Sequence, residues 1–258
     1  MRLCPFATSL GAFGKMRCTS IVVLTVIGFV AAVWGGAGKP TPKRAFVGAF
    51  TLDGATVEIA LPQGNWVSAE QVRRECRFRG WRPPLTAAQM ATLARALEAE
   101  FAVDLLAAAM QARKRWTALV VLRVVSADLQ AIVHLTQERV PIAASSELPR
   151  VVEQVAGTSL AALPSRFATA TVQVREGDRR VHLMAREGTW RKGTEVLLYR
   201  IVDGQPQPLA TARLVTTHRA VDGTTWLLEA ELTAPASVRG GDKAIAVFRL
   251  PAPFSRWQ

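Results

Sequence analysis

The run Thr117-Ala-Leu-Val-Val-Leu-Arg-Val-Val125 carries a single charge in nine residues. A strand without polar alternation has no face to give to water, so it belongs in a sheet covered on both sides. Helices must supply the two covers, which places this part of the chain among α/β layered folds. The flanking sequence offers them. Residues 68–79 fit a helix with Ser68 as N-cap and Gly80 as its stop. Thr86-Ala-Ala-Gln89 has the form of a capping box, and Met90, Leu93, Ala94, Leu97 and Phe101 follow on one face. A third helix is expected from about Ser146 to Leu163, with Leu148, Val151, Val152 and Val155 on one stripe. Residues 45–50 and 56–61 read as strands joined at Asp53-Gly54, and Ser126-Ala-Asp128 turns the apolar strand into another over 129–139. Residues 39–165 are therefore expected to form an α/β sandwich, a mixed sheet with about three helices.

The pattern changes after Pro164. Short alternating runs follow, punctuated by Gly177-Asp178, Gly188, Gly193, Asp203-Gly204, Asp222-Gly223 and Gly240-Gly241-Asp242. Trp226, Leu228, Ala230 and Leu232 face one way against Leu227, Glu229 and Glu231; Val181, Leu183 and Ala185 oppose His182. Strands this closely spaced, with almost no helical periodicity, predict a small all-β barrel of SH3 or OB type over 166–250. Residues 251–258 remain as a tail. The fold class is α+β.

Residues 1–38 hold no acid, and their only charges are Arg2, Lys15 and Arg17. An uncharged stretch from Thr19 leads into Gly35-Gly-Ala-Gly and Lys39-Pro-Thr-Pro42. This is the layout of a signal peptide, with an uncleaved membrane anchor as the rival, and Met16 is an alternative start. In both cases the remainder faces away from the cytoplasm, because the positive residues precede the apolar segment. Cleavage removes Cys4 and Cys18, leaving Cys76 without a disulfide partner. Its neighbours Arg73, Arg74, Arg77 and Arg79 favour a thiolate; the plainer expectation is a small side chain buried on a helix.

Val67, Val72, Gly80, the helical Leu93-Ala-Arg-Ala-Leu-Glu-Ala-Glu-Phe101, and Val103 to Gln111 together resemble TolB amino-terminal and curli-assembly-like envelope domains. Residues 119–125 and 129–163 fit the order of elements in those domains. The stretches Gly193-Thr-Glu-Val-Leu-Leu-Tyr-Arg200, Ala210-Thr-Ala-Arg-Leu-Val215 and Val238-Arg-Gly-Gly-Asp-Lys243 resemble the small carboxy-terminal β-barrel of flagellar assembly protein T. The resemblance implies an envelope component without catalysis. The sequence departs from it at Glu98, where those domains usually carry glycine, and it lacks the spanning hairpins of the curli pore.

No catalytic signature accompanies this framework. Of seven aspartates, Asp53, Asp203 and Asp222 precede glycine, Asp178 and Asp242 follow it, and Asp128 lies in a predicted hairpin; all are turn positions. Asp104 alone starts a strand, and Glu98/Glu100 and Glu229/Glu231 read as solvent-facing. His134, His182 and His218 stand on three predicted strands without the spacing of zinc ligands. Ser159 lacks the second glycine of a nucleophile elbow. No catalytic residue, metal or cofactor is therefore assigned.

The remaining constellation is arginine beside aromatic. Arg73, Arg74, Arg77, Arg79 and Arg82 surround Phe78 and Trp81, and Trp190, Arg191 and Lys192 repeat the theme after Arg113-Lys-Arg-Trp116. Guanidinium and indole groups together clasp and stack on anionic or planar ligands. The plainer alternative is a general arginine bias with solvated faces, since arginine outnumbers lysine 26 to 6. Beyond Gly38 the chain keeps 29 basic and 20 acidic residues, so the positive balance does not come from the leader. The sequence thus points to an exported, non-catalytic envelope module that binds an envelope protein or anionic polymer, with membrane contact through an uncleaved leader. A nucleic-acid binder using the barrel and an envelope hydrolase with an unfamiliar site are the competing expectations.

Overall fold

The computed structural model describes residues 41–258. The leader expected over 1–38, with Cys4 and Cys18, lies outside the described residues.

Strands β1 (Arg44–Thr51), β2 (Thr56–Val57), β3 (Phe101–Ala112), β4 (Arg115–Ser126) and β5 (Ile132–Ile142) form one mixed sheet in the order β2-β1-β3-β4-β5. β1 runs parallel to β3, while β3-β4 and β4-β5 are antiparallel. The parallel pair requires a crossover, and helices α1 (Ala69–Phe78) and α2 (Ala87–Ala96) provide it on one face. Ser68 is the expected N-cap of α1 and forms a capping box with Gln71, and Thr86 with Gln89 forms the capping box expected for α2. Helix α3 (Leu148–Ala161) covers the other face with Leu148, Val151, Val152 and Val155 buried.

Alternation along β3 explains the two covered faces: Ala102, Leu106 and Ala108 join the core beneath α1 and α2, whereas Val103, Leu105 and Ala107 join the core beneath α3. Asp104 takes its turn on the α1/α2 side, directly opposite Arg123 of β4. The one charge in the run 117–125 is thus neutralised inside the sheet's cover.

Two sequence expectations fail here. Only Thr56 and Val57 pair with β1; residues 58–61 leave the edge. A register shift in β1 between Phe46 and Gly48 breaks the ladder just beyond the Ala49–Val57 pair, so the residues after Val57 have no regular partner row. Gly48 stands at φ 148°, and a Cβ there would run into the Phe50 ring. The helical stripe assigned through Phe101 also stops early. Leu97 caps α2, Glu98 follows at φ 52°, and Phe101 begins β3. That left-handed position is where a helix C-terminus favours glycine.

Six antiparallel strands then close into a barrel, β6 (Thr169–Glu176), β7 (Arg180–Ala185), β8 (Glu195–Val202), β9 (Gln205–Arg219), β10 (Trp226–Leu232) and β11 (Lys243–Val247). The strand order around it is β10-β7-β6-β11-β8-β9. Val181, Leu183, Ala185, Leu228, Ala230 and Leu232 fill it as the alternation requires. Barrel and sheet share apolar packing, because Leu197, Tyr199 and Ile245 on the barrel wall belong to the core beneath α3.

The terminal residues are more than a tail. A short 3-10 segment, Ala252–Trp257, folds back onto the α1/α2 face, burying Phe254 and Trp257 among its core residues. Arg123 holds it there by donating to the Trp257 carbonyl.

Candidate functional site

Helix α1 sorts its side chains by position. Val72 and Cys76, one turn apart, form the buried stripe. Arg73 and Arg77 flank that stripe, and Arg74 and Phe78 point further out, with Phe78 83% exposed. A phenyl ring so displayed beside guanidinium groups contributes nothing to the core. Glu75 accepts from Arg79 Nε at 2.6 Å, and the Arg79 guanidinium lies 5.1 Å from the centre of the half-buried Trp81 ring. None of Arg73, Arg74, Arg77 and Arg82 enters an ion pair among the described residues. Four exposed arginines that enter no ion pair among the described residues thus lie with Phe78 and Trp81 on α1 and the residues directly after it.

The arginines also border concave surface. Arg73, Arg77, Cys76 and Trp81 line a cavity of about 270 Å³. Val47, Val72, Arg73 and Pro83 are shared between it and a larger groove of about 970 Å³, which runs along the outer edge of β1 to α3. The sequence brought together Arg73, Arg77 and Trp81 as site residues, and the structure places them on one wall. It gave no hint of the groove, because the groove arises from a strand that ends after two residues.

Cys76 does not answer to the reactive reading. Burial pushes its thiol up, and the neighbouring Glu75 charge adds to the effect.

The second arginine-aromatic cluster separates in space. Trp190 is 3% exposed, its indole N–H donates to the Glu187 carbonyl at 2.8 Å, and its ring belongs to the barrel core. Packing of the β7–β8 connection into the barrel, not ligand stacking, accounts for that residue, leaving Arg191 and Lys192 as exposed neighbours without an aromatic platform. Tyr199 is likewise buried, on the wall that packs against the sheet. Trp226 is half-buried beneath Arg219, whose guanidinium lies 4.8 Å from the ring centre.

A cleft of about 300 Å³ lies where the barrel meets the sheet, lined by His134, Arg166, Phe167, Glu187 and Trp190 among others. Burial pushes the His134 imidazole down, and its ring packs 5.6 Å from Phe167. His182 meets Glu176 at 3.1 Å on the barrel surface. Among the described residues no three His, Cys, Asp or Glu side chains converge as a metal site, and no helix is long and apolar enough to cross a membrane.

Asp104 and Arg123, both fully buried, make a two-pronged pair at 2.7 and 2.8 Å, and Arg123 also donates to the Leu85 and Trp257 carbonyls. Burial raises the Asp104 carboxyl, with Arg123 pulling the other way. With all its partners inside the protein, this pair is structural.

No family model matches the chain. No curated protein matches it. Among solved structures, the C-terminal domain of LpoB from Salmonella enterica is similar, at 11% identity and a TM-score of 0.28, over 40% of this chain and 86% of that domain. No role is taken from a likeness at that level.

Proposed function

We propose that the chain is an exported, non-catalytic module of the cell envelope that holds an acidic partner on the surface of α1 and the residues after it. Arg73, Arg74, Arg77, Arg79, Trp81 and Arg82 form the contact surface, with Phe78 as an apolar anchor. The observation that carries this reading is the set of four exposed arginines on and after α1 that enter no ion pair among the described residues, on the same stretch of chain as the exposed Phe78 and the half-buried Trp81. Unpaired arginines next to aromatic surface combine charge attraction with rigid apolar contact, the pairing that dominates binding energy at protein interfaces. The basic balance beyond the leader reinforces the attraction at long range. Export rests on the composition of residues 1–38 and on the resemblance to envelope domains.

The test is retention on immobilised poly-L-glutamate at low salt. Arg74→Glu with Arg79→Glu is expected to elute at clearly lower salt than the parent, and a control at the barrel, Arg191→Glu, to elute close to it. Unchanged elution of the double variant contradicts the assignment of this surface.

A further inference from the structure

We infer that the cavity between α1, β1 and Trp81 takes one large apolar side chain of the acidic partner, with a carboxylate beside it clasped by Arg73 and Arg77. The inference deepens the reading of the arginine surface and rests on it for the partner's charge.

Helix periodicity supplies the first reason. Arg73 and Arg77 stand one turn apart on α1, and both line the cavity of about 270 Å³. Like charges at that spacing repel, and neither arginine enters an ion pair among the described residues. Glu75 of the same helix is taken by Arg79. An anion held by the two guanidinium groups relieves the repulsion and gives each a forked, charge-assisted hydrogen bond.

The rest of the lining supplies the second reason. Beside the two arginines stand Val47, Val72, Cys76, Trp81 and Pro83, with no acidic side chain. Glu58 and Glu153 belong to the larger groove next to it. Val72 and Cys76 are buried, whereas Val47, Trp81 and Pro83 are only half-buried. Apolar surface that the protein's own side chains leave partly uncovered is stabilised by a further apolar group. A bulge brings Val47 to this wall. β1 pairs Phe46 with Val103 and Gly48 with Asp104, which leaves Val47 as the extra residue, packed against the core beneath α1 and α2.

Size decides how much of the partner enters. At about 270 Å³ the cavity is smaller than the clefts of about 300–1,000 Å³ that hold whole small ligands. It suits a single side chain, the arrangement of an anchor residue in a pocket at a protein interface. The carboxylate then comes from a residue next to the anchor, since Arg73 and Arg77 are exposed whereas Val72 and Cys76 are not.

The probe is acetyl-Asp-Asp-Leu-Asp-Asp-amide, titrated into the full chain at low salt. Its counterparts are acetyl-Asp-Asp-Ala-Asp-Asp-amide and acetyl-Lys-Lys-Leu-Lys-Lys-amide. The leucine–aspartate peptide is expected to bind below ~1 mM and at least about tenfold more tightly than either counterpart. Against the alanine peptide the difference comes from the apolar area of the isobutyl group, and against the lysine peptide from charge. Arg73→Glu with Arg77→Glu should weaken the leucine–aspartate peptide at least about tenfold. Both side chains are exposed, so the variant keeps its fold. The indole N–H resonance of Trp81, assigned through Trp81→Phe, should move when that peptide binds.

Absence of binding at ~1 mM overturns the inference. Equal affinity for the leucine and alanine peptides also overturns it, and leaves the arginine surface standing where poly-glutamate retention still depends on Arg74 and Arg79. Equal affinity for the lysine peptide refutes the clasped carboxylate. An unmoved Trp81 resonance, or full affinity in the Arg73→Glu, Arg77→Glu variant, puts the apolar contact elsewhere and overturns the inference as well. Poly-glutamate retention indifferent to Arg74→Glu with Arg79→Glu, alongside leucine-dependent binding lost in Arg73→Glu with Arg77→Glu, keeps the pocket and refutes the wider surface.

Discussion

Replacing Arg123 by methionine removes the cation that pairs with Asp104 inside the sheet's cover. Asp104 is 0% exposed and bonds to Arg123 through both carboxylate oxygens, at 2.7 and 2.8 Å. Taking away one partner of such a pair costs about 3–5 kcal/mol, because the remaining charge is left buried without compensation. The Leu85 and Trp257 carbonyls lose their donor as well. Each orphaned buried acceptor is worth about 1–3 kcal/mol on its own, though terms this close together do not add. Arg123→Met is therefore expected to lose at least about 3 kcal/mol, a large part of the about 5–15 kcal/mol typical of a folded protein. Adding Asp104→Leu removes the stranded carboxylate but not the stranded carbonyls, so the double variant should recover about 1–3 kcal/mol of the loss. Urea unfolding at pH 7 measures both, and amide exchange at Phe254 should quicken in each as the terminal segment loses its anchor. A single variant that loses less than about 1 kcal/mol, or a double variant no more stable than the single, refutes the reasoning.

Three further outcomes follow from the same structure. Gly157→Ala should stabilise the protein by up to about 1 kcal/mol, read as a Tm rise of about 2–4 °C, since the added methyl meets nothing and the helix gains propensity. Glu98→Gly should also stabilise, by about 1 kcal/mol in urea, because it relieves a left-handed backbone at φ 52°. His134 has its folded pKa below the ordinary 6.5 through burial, so the unfolded chain takes up a proton first as pH falls. That contribution to stability is complete above pH 6.5 and is lost as pH drops below it toward the folded value; His134→Leu should flatten the slope of urea midpoint against pH in that window.

Much of the framework was legible because it follows from local rules. Ser68 announced its helix as an N-cap and Thr86 through a capping box, the Leu148-to-Val155 stripe located α3, and period-two alternation at Val181 and Leu228 identified strands with a filled interior. The failures occur where distant residues decide. Residues 58–61 alternate like a strand, but a shift in β1 at Gly48 denies them a partner. Phe254 and Trp257 follow two prolines at the end of the chain, and only the arrival of Arg123 from β4 explains their burial. Trp190 looked like Trp81 in sequence, one aromatic among arginines. The turn that carries Trp190 drives it into the barrel, whereas the turn after α1 leaves Trp81 at the rim of a cavity. Within the candidate site, charge and aromatic content were readable and concavity was not, because a groove is made by what a neighbouring strand fails to cover.

The central claim is that the α1 arginines hold an acidic partner by charge. The most direct measurement is the affinity of the full chain for poly-L-glutamate as a function of salt, for the parent and for Arg73→Glu with Arg77→Glu. Attraction between exposed charges is screened within about 10 Å at 0.1 M salt, so the parent should weaken steeply as salt rises. The variant should bind at least about tenfold more weakly at low salt and show a shallower dependence. Equal affinity and equal salt dependence in the two proteins contradict the account.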